Sequence, residues 1–285
     1  MLYEGDIIDN DWKCFDIEPG ENVFPKYIIQ QQDTLSNYPQ KYKIAITNPP
    51  YLSKNSATRR GLTYPNTDYD DIYKLCLKVM LENTPYVAAI IPETFITAGI
   101  FHDRLHSIVS LTCRMFDDTD CPVCLAMFVP KEEAMESFDI YRMNDFLGTY
   151  KELKEGDVPD TLGIPWVFND PNGKIGIKCV DNTRLASIKF IDGNVIDSKK
   201  IKVTSRSATR VGGLPEGINI QKFIDDCNGI LDEYREQTKD VFMASFKGLR
   251  VDGLYRRRLD FSTARRIMNQ ALQKQIRGNR WWKIK

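Results

Sequence analysis

Short apolar runs, each closed by a proline or a polar residue, punctuate the first 130 residues. Residues 12–17 (WKCFDI) close on Pro19 and Gly20, and residues 27–29 (YII) run into QQQD. Residues 42–47 (YKIAIT) stop at Asn-Pro-Pro, while 86–91 (YVAAII) and 121–129 (CPVCLAMFV) each stop at a proline. Runs of this length without polar alternation predict strands covered on both faces. Between them, residues 70–82 carry apolar side chains at Ile72, Leu75, Leu77, Val79 and Met80 behind a pair of acids, which predicts a helix. Residues 101–109 predict a second helix. Strands alternating with helices predict an α/β sheet, whose ligands bind beyond the carboxyl ends of the strands. Asp16, Asp33, Asn48 and Glu93, the polar residues at those ends, are then expected along one rim.

The pattern changes near residue 135. Residues 137–215 hold short strand-like pieces (IGIKCV, SIKFI, IKVTS) between Gly-Asp and Gly-Asn turns, and residues 219–240 predict a helix. The expected division is residues 1–135 as one domain and 136–285 as a mixed α+β region. Lys plus Arg and Asp plus Glu both number 39, so the net charge is zero. The distribution is uneven. From 242 onward Lys247, Arg250, Arg256, Arg257, Arg258, Arg265, Arg266, Lys274, Arg277, Arg280, Lys283 and Lys285 face only Asp252 and Asp260. With Tyr255, Phe261, Trp281 and Trp282 among them, this segment reads as a nucleic-acid footprint. The seven cysteines are odd in number and sit mostly in apolar runs, which favours reduced thiols and a cytoplasmic setting over a disulfide framework. No signal peptide and no apolar run near the roughly 18 residues of a span is found, so no membrane partner is expected.

Asn48-Pro49-Pro50-Tyr51 carries the candidate chemistry. A proline fixes its own φ and restrains the residue before it toward an extended backbone. Asn48 is thus held at a strand end with its amide oxygen beside a backbone carbonyl. Two acceptors facing one way suit an NH2 group on a flat heterocycle. They help most as positive charge develops on that nitrogen during attack. Tyr51 offers an aromatic face to the same ring.

On this tetrapeptide the sequence resembles the S-adenosylmethionine-dependent amino-methyltransferases, and among them the adenine-specific DNA methyltransferases of restriction-modification systems and phages. The resemblance covers roughly residues 12–130. FDIEP (15–19) is similar to the family's second-strand segment, which implies that Asp16 binds the cofactor ribose and Ile17 packs on its adenine. QQDTL (31–35) is similar to the segment whose acid binds the cofactor's adenine amine, which implies Asp33, with Thr34 beside it. IIPETFI (90–96) resembles the sixth segment of the family. MFDDTDCPVCLAMF (115–128) suggests Phe116 as a base-stacking partner of Tyr51. The resemblance implies a Rossmann-like class I methyltransferase sheet, and S-adenosylmethionine as methyl donor. It further implies double-stranded DNA as substrate, with Arg256, Arg257, Arg258, Arg265 and Arg266 gripping it, and a cognate restriction endonuclease as a candidate partner.

The family's glycine-rich turn should precede FDIEP by about 20 residues, and MLYEGDIIDNDWKCF holds one glycine. VGGLPEG (211–217) is expected to lack a preceding strand. The first strand is therefore expected to be missing and the chain N-terminally truncated. The alternatives are a non-catalytic DNA-binding subunit or remnant, or an amino-methyltransferase acting on RNA or on a protein glutamine. No metal is expected. Cys121-Pro-Val-Cys124 has no second pair, and His102 and His106 are expected as a surface pair on a helix. Ser-Ala-Thr-Arg occurs twice, at 56–59 and 207–210, too short for a repeat; the first copy is either a phosphate contact or a mobile loop.

Overall fold

The structure is a computed structural model that describes residues 13–20, 28–117, 119–161 and 163–278. Trp12, Tyr27, Arg280, Trp281, Trp282, Lys283 and Lys285 lie outside the described residues, as does most of the stretch before Asp16. The chain divides into two units. The first comprises Met1–Ala89 with Phe128–Pro130, and the second Ile90–Met127 with Lys131–Lys285.

The first unit begins with strands β1 (Cys14–Asp16) and β2 (Ile29–Gln31), paired in parallel. Strand β3 (Ile44–Thr47) leads into helix α1 (Lys54–Arg60). The Ser53 hydroxyl caps α1 by accepting the Ser56 N–H, and Gly61 ends it at φ 64°, a left-handed angle suited to glycine. Helix α2 (Ile72–Asn83) buries Tyr73, Leu77 and Leu81, one apolar side chain per turn. Strand β4 (Tyr86–Pro92) pairs in parallel with β3, from Ile44 opposite Tyr86 to Thr47 opposite Ala89.

The second unit contains the last residues of β4, strand β5 (Leu105–Leu111), all but the last residue of β6 (Val123–Phe128), β7 (Asp139–Arg142) and β8 (Asp145–Thr149). β5 and β7 are parallel, and β7 and β8 antiparallel. Helix α3 (Tyr150–Glu155) opens on a reciprocal Thr149–Glu152 capping box. Strands β9 (Val167–Phe168), β10 (Ile175–Lys178), β11 (Lys189–Asp192) and β12 (Ala208–Gly212) form an antiparallel sheet in the order β11-β10-β12-β9. Helix α4 (Ile220–Thr238) follows, then the hairpin β13 (Ala244–Leu249) and β14 (Tyr255–Arg258), then helix α5 (Phe261–Gly278). Among the described residues no helix is long and apolar enough to cross a membrane.

The Rossmann-like sheet expected from the resemblance is not found. The described residues form four separate sheets, and the largest of these is a mixed one of six strands in the order β3-β4-β6-β5-β7-β8. The described residues hold five helices, without clear alternating strand-helix units. One cause is local. Residues 101–109 form a 3-10 turn at His102–Arg104 followed by β5, where a crossover helix was expected. β-Branched Ile108 and Val109 favour a strand, and the Leu105–Leu111 stretch buries its side chains close to alternately. His102 and His106 therefore share no helix. His102 is half-buried and edge-on to Phe138 and Tyr150, while His106 is exposed. The IKVTS stretch also forms no strand. β12 lies just beyond it and supplies the strand that VGGLPEG was expected to lack. The two Ser-Ala-Thr-Arg copies take different structures, the first in α1 and the second entering β12. All seven cysteines are free thiols.

Two buried carboxylates organise the second unit. Glu93, 4% exposed, follows β4 and pairs with Arg257 of β14 at 2.8 Å. Glu93 also accepts hydrogen bonds from the Ser110 and Ser245 hydroxyls. Burial alone would raise its pKa, but the Arg257 charge and the two hydroxyls hold it below the usual glutamate value. Asp181, 0% exposed, receives Arg235 at 3.0 Å and Arg250 at 3.3 Å, together with the N–H groups of Ser187, Ile188 and Arg257.

Because the Glu93 pKa is depressed on folding, its contribution is complete above about pH 4.3, the unfolded value, and is lost as pH falls through the folded value. Glu93→Ala leaves Arg257 buried and unpaired, which should cost about 3–5 kcal/mol in urea unfolding at pH 7. The difference from wild type should shrink toward pH 3. A pH-independent loss below about 1 kcal/mol would contradict this role.

Candidate active site

Asn48 lies immediately beyond Thr47, the last residue of β3, and is exposed. Pro49 behind it is buried and Pro50 exposed, so the tip is fixed at its root and open at its end. The Tyr51 hydroxyl donates to Asn48 Oδ1 at 2.7 Å. That bond uses one lone pair of the amide oxygen, leaving the second for a ligand. The far side of the tip is tied to the start of α2. The Ile72 N–H donates to the Leu52 carbonyl at 3.1 Å, the Lys54 N–H donates to the Asp70 carbonyl at 2.8 Å, and Ser53 bridges Asp71. The Tyr51 ring stands edge-on to buried Tyr73 of α2, with centroids 6.3 Å apart.

The candidate cofactor acids are brought together by the β1–β2 pairing. Asp16 lies opposite Gln31, and its carbonyl accepts the Gln32 N–H at 2.8 Å. Asp33 follows two residues beyond β2, at the same carboxyl end of the pair. Both carboxylates are exposed. Asp16 Oδ1 accepts the Glu18 N–H at 2.8 Å, and among the described residues its Oδ2 accepts none. Asp33 accepts the Ser36 hydroxyl at 2.6 Å and the Leu35 N–H at 3.0 Å, which hold it below the usual aspartate range. Ile17, 62% exposed, and half-buried Thr34 flank these acids.

Helix α2 packs beside the tip and lies within electrostatic reach of Asp33. Its Cys76 thiol is pushed up to about 11, chiefly by burial and further by the charges of Asp33 and Asp71. Cys76 and Tyr73 are three residues apart and share a helix face. Tyr73, edge-on to Tyr51, and Cys76, whose thiol feels the charge of Asp33, thus share one side of α2, which the sequence reading did not foresee. The helix is read from its apolar positions Ile72, Leu75, Leu77, Val79 and Met80, and Tyr73 and Cys76 are not singled out.

The remaining candidates lie in the second unit. Phe116 is half-buried in the loop between β5 and β6. Glu93 does not reach a solvent-facing rim, being buried against Arg257. Of the five arginines, Arg257 is buried and paired, and Arg266 pairs with Asp157 at 3.1 Å. Arg256 stacks over Phe246, exposed Arg265 lies over Phe168, and Arg258 is half-buried. The segment read as a basic tail is thus a hairpin and a helix, part of whose charge is neutralised internally.

No family model matches the chain, and no curated protein matches it by sequence. Among solved structures, one similar chain comes from "Structural basis underlying complex assembly and conformational transition of the type I R-M system". The likeness has a TM-score of 0.29 and 16% identity, over 40% of this chain and 27% of that one. An overlap so slight carries no argument about fold or function.

Asp33→Asn should lower the Cys76 pKa from about 11. The pH profile of Cys76 alkylation by iodoacetamide, read by peptide mass spectrometry, should shift to lower pH in the variant. An unchanged profile would contradict the placement of the Asp33 charge within reach of Cys76.

Proposed function

We propose that this chain transfers a methyl group to the exocyclic amine of adenine in DNA, with S-adenosylmethionine as donor. The observation that carries the proposal is the exposed Asn48 at the end of β3, its amide oxygen oriented by the Tyr51 hydroxyl and its backbone restrained by two prolines. The proposal rests on the local site and not on a fold assignment.

The donor set suits the cofactor. Exposed carboxylates at one end of a parallel strand pair offer free acceptor capacity, as ribose hydroxyls and an adenine amine require. Asp16 would accept the ribose hydroxyls, Asp33 the amine, and Ile17 would cover the adenine face. When bound, the cofactor supplies a methyl carried on a sulfonium, with no metal and no covalent enzyme intermediate required.

The target adenine must leave the duplex stack to present its amine. Asn48 Oδ1 and the Pro49 carbonyl would accept its two N–H bonds, keeping the nitrogen lone pair localised and aimed. As that nitrogen gains a fourth bond its hydrogens become more acidic, and both acceptors strengthen in the transition state. One of these hydrogens then leaves as a proton. Tyr51 holds Asn48 in register and lies where a ring on the tip would meet it. Orientation of this kind is worth up to about 7–11 kcal/mol for well-aligned reactants. A restriction endonuclease remains the candidate biological partner of such an activity.

Asn48→Ala should reduce methyl transfer to duplex DNA by about 10²–10³-fold, the scale for one lost transition-state contact. Asn48→Asp keeps an acceptor oxygen and should recover part of that loss. Equal rates for wild type and Asn48→Ala, measured with labelled S-adenosylmethionine, would overturn the assignment.

A further inference from the structure

A cleft of about 580 Å³ opens in the second unit beside the seam between the four-stranded sheet and the β13–β14 hairpin. The seam is closed by the Val180–Arg258 bridge, and by the Leu259 N–H donating to the Cys179 carbonyl at 2.8 Å. Lys178, Lys189, Arg256, Phe246, Ser187 and Ser207 line the cleft.

Lys178 of β10 and Lys189 of β11 are direct partners across the antiparallel pair. Both are exposed, and neither belongs to an ion pair among the described residues. Like charges directly opposite on one face of a sheet repel. Asp181, the acid on this lining, is fully buried and already shared by Arg235 and Arg250, so it does not relieve them. Arg256 adds a third cation. Its guanidinium lies 4.9 Å from the Phe246 ring centroid, and its Nε donates to the Asp181 carbonyl at 2.8 Å, which fixes the group at the cleft wall. Three cations on one lining whose single acid among the described residues is already engaged, with two serine hydroxyls beside them, match consecutive phosphates of a nucleic-acid backbone.

We infer that this cleft is a phosphodiester-binding site that holds the DNA backbone, with Lys178 and Lys189 as its principal contacts. It rests on the proposed reading only in that the substrate is DNA, and places the grip partly outside the arginine-rich segment. The lysines occupy this register because an anion between them turns a repulsion into a shared attraction.

The test uses the full chain and a fluorescein-labelled DNA duplex of about 20 bp, titrated between about 50 and 200 mM salt. The Lys178→Ala/Lys189→Ala variant should bind at least about tenfold more weakly at the lower salt. Its slope of log affinity against log salt should be shallower by about two, one unit per lost phosphate contact. Because a repulsion is removed, its melting temperature should equal or exceed that of wild type. Lys178→Arg/Lys189→Arg should bind as wild type does, which separates lost charge from lost fold. Unchanged affinity and slope in the alanine variant, or no duplex binding by wild type even at the lower salt, would overturn the inference. Methyl transfer measured on the same duplex keeps the two claims apart. Lysine-dependent binding without transfer sustains the cleft and removes the enzymatic reading, whereas transfer with lysine-independent binding does the reverse.

Discussion

A strand end that cannot relax is the constraint from which the rest follows. Thr47 closes β3, and the two prolines after Asn48 remove the backbone freedom by which a polar tip would fold back on itself. The Tyr51 hydroxyl then fixes the remaining freedom, that of the amide, while backbone bonds to residues 70–72 hold the other side of the loop. An acceptor at a sheet edge is ordinarily hydrated and mobile. Here most of the ordering entropy is lost on folding, so little is left to lose when a ligand arrives.

Electrostatics divides the cations of the second unit into two groups. Glu93 and Asp181 bury arginines from α4 and from the β13–β14 hairpin in networks of ion pairs and hydrogen bonds. Breaking such networks is costly, so these arginines are structural. The exposed lysines of β10 and β11 carry no such partners among the described residues and remain available to an outside anion. Counting charges along the chain could not separate the two groups, because both contribute equally to a net excess.

The sequence was most legible where one segment determined its own conformation. The helix around Tyr73–Leu81, the strand at Tyr86–Pro92 and the long helix Ile220–Thr238 follow from periodicity and capping residues. The Asn-Pro-Pro-Tyr tip was legible because prolines act locally. Residues 101–109 were misread as a helix although β-branched Ile108 and Val109 favour the strand that forms there. The Rossmann-like expectation failed with it, since strand arrangement depends on partners far apart in the chain. The Lys178–Lys189 pairing was invisible for the same reason. Each lysine lies in its own short strand-like piece, IGIKCV or SIKFI, and only the register sets them face to face.

The central claim is that Asn48 and its neighbours prepare an adenine amine for methylation, and the product tests it most directly. Duplex DNA incubated with the full chain and S-adenosylmethionine can be digested to nucleosides and analysed by mass spectrometry. The account predicts N6-methyl-2′-deoxyadenosine from the DNA, with methylated deoxycytidine absent. Unmodified nucleosides after prolonged incubation, or methyl groups found only on cytosine, would contradict it.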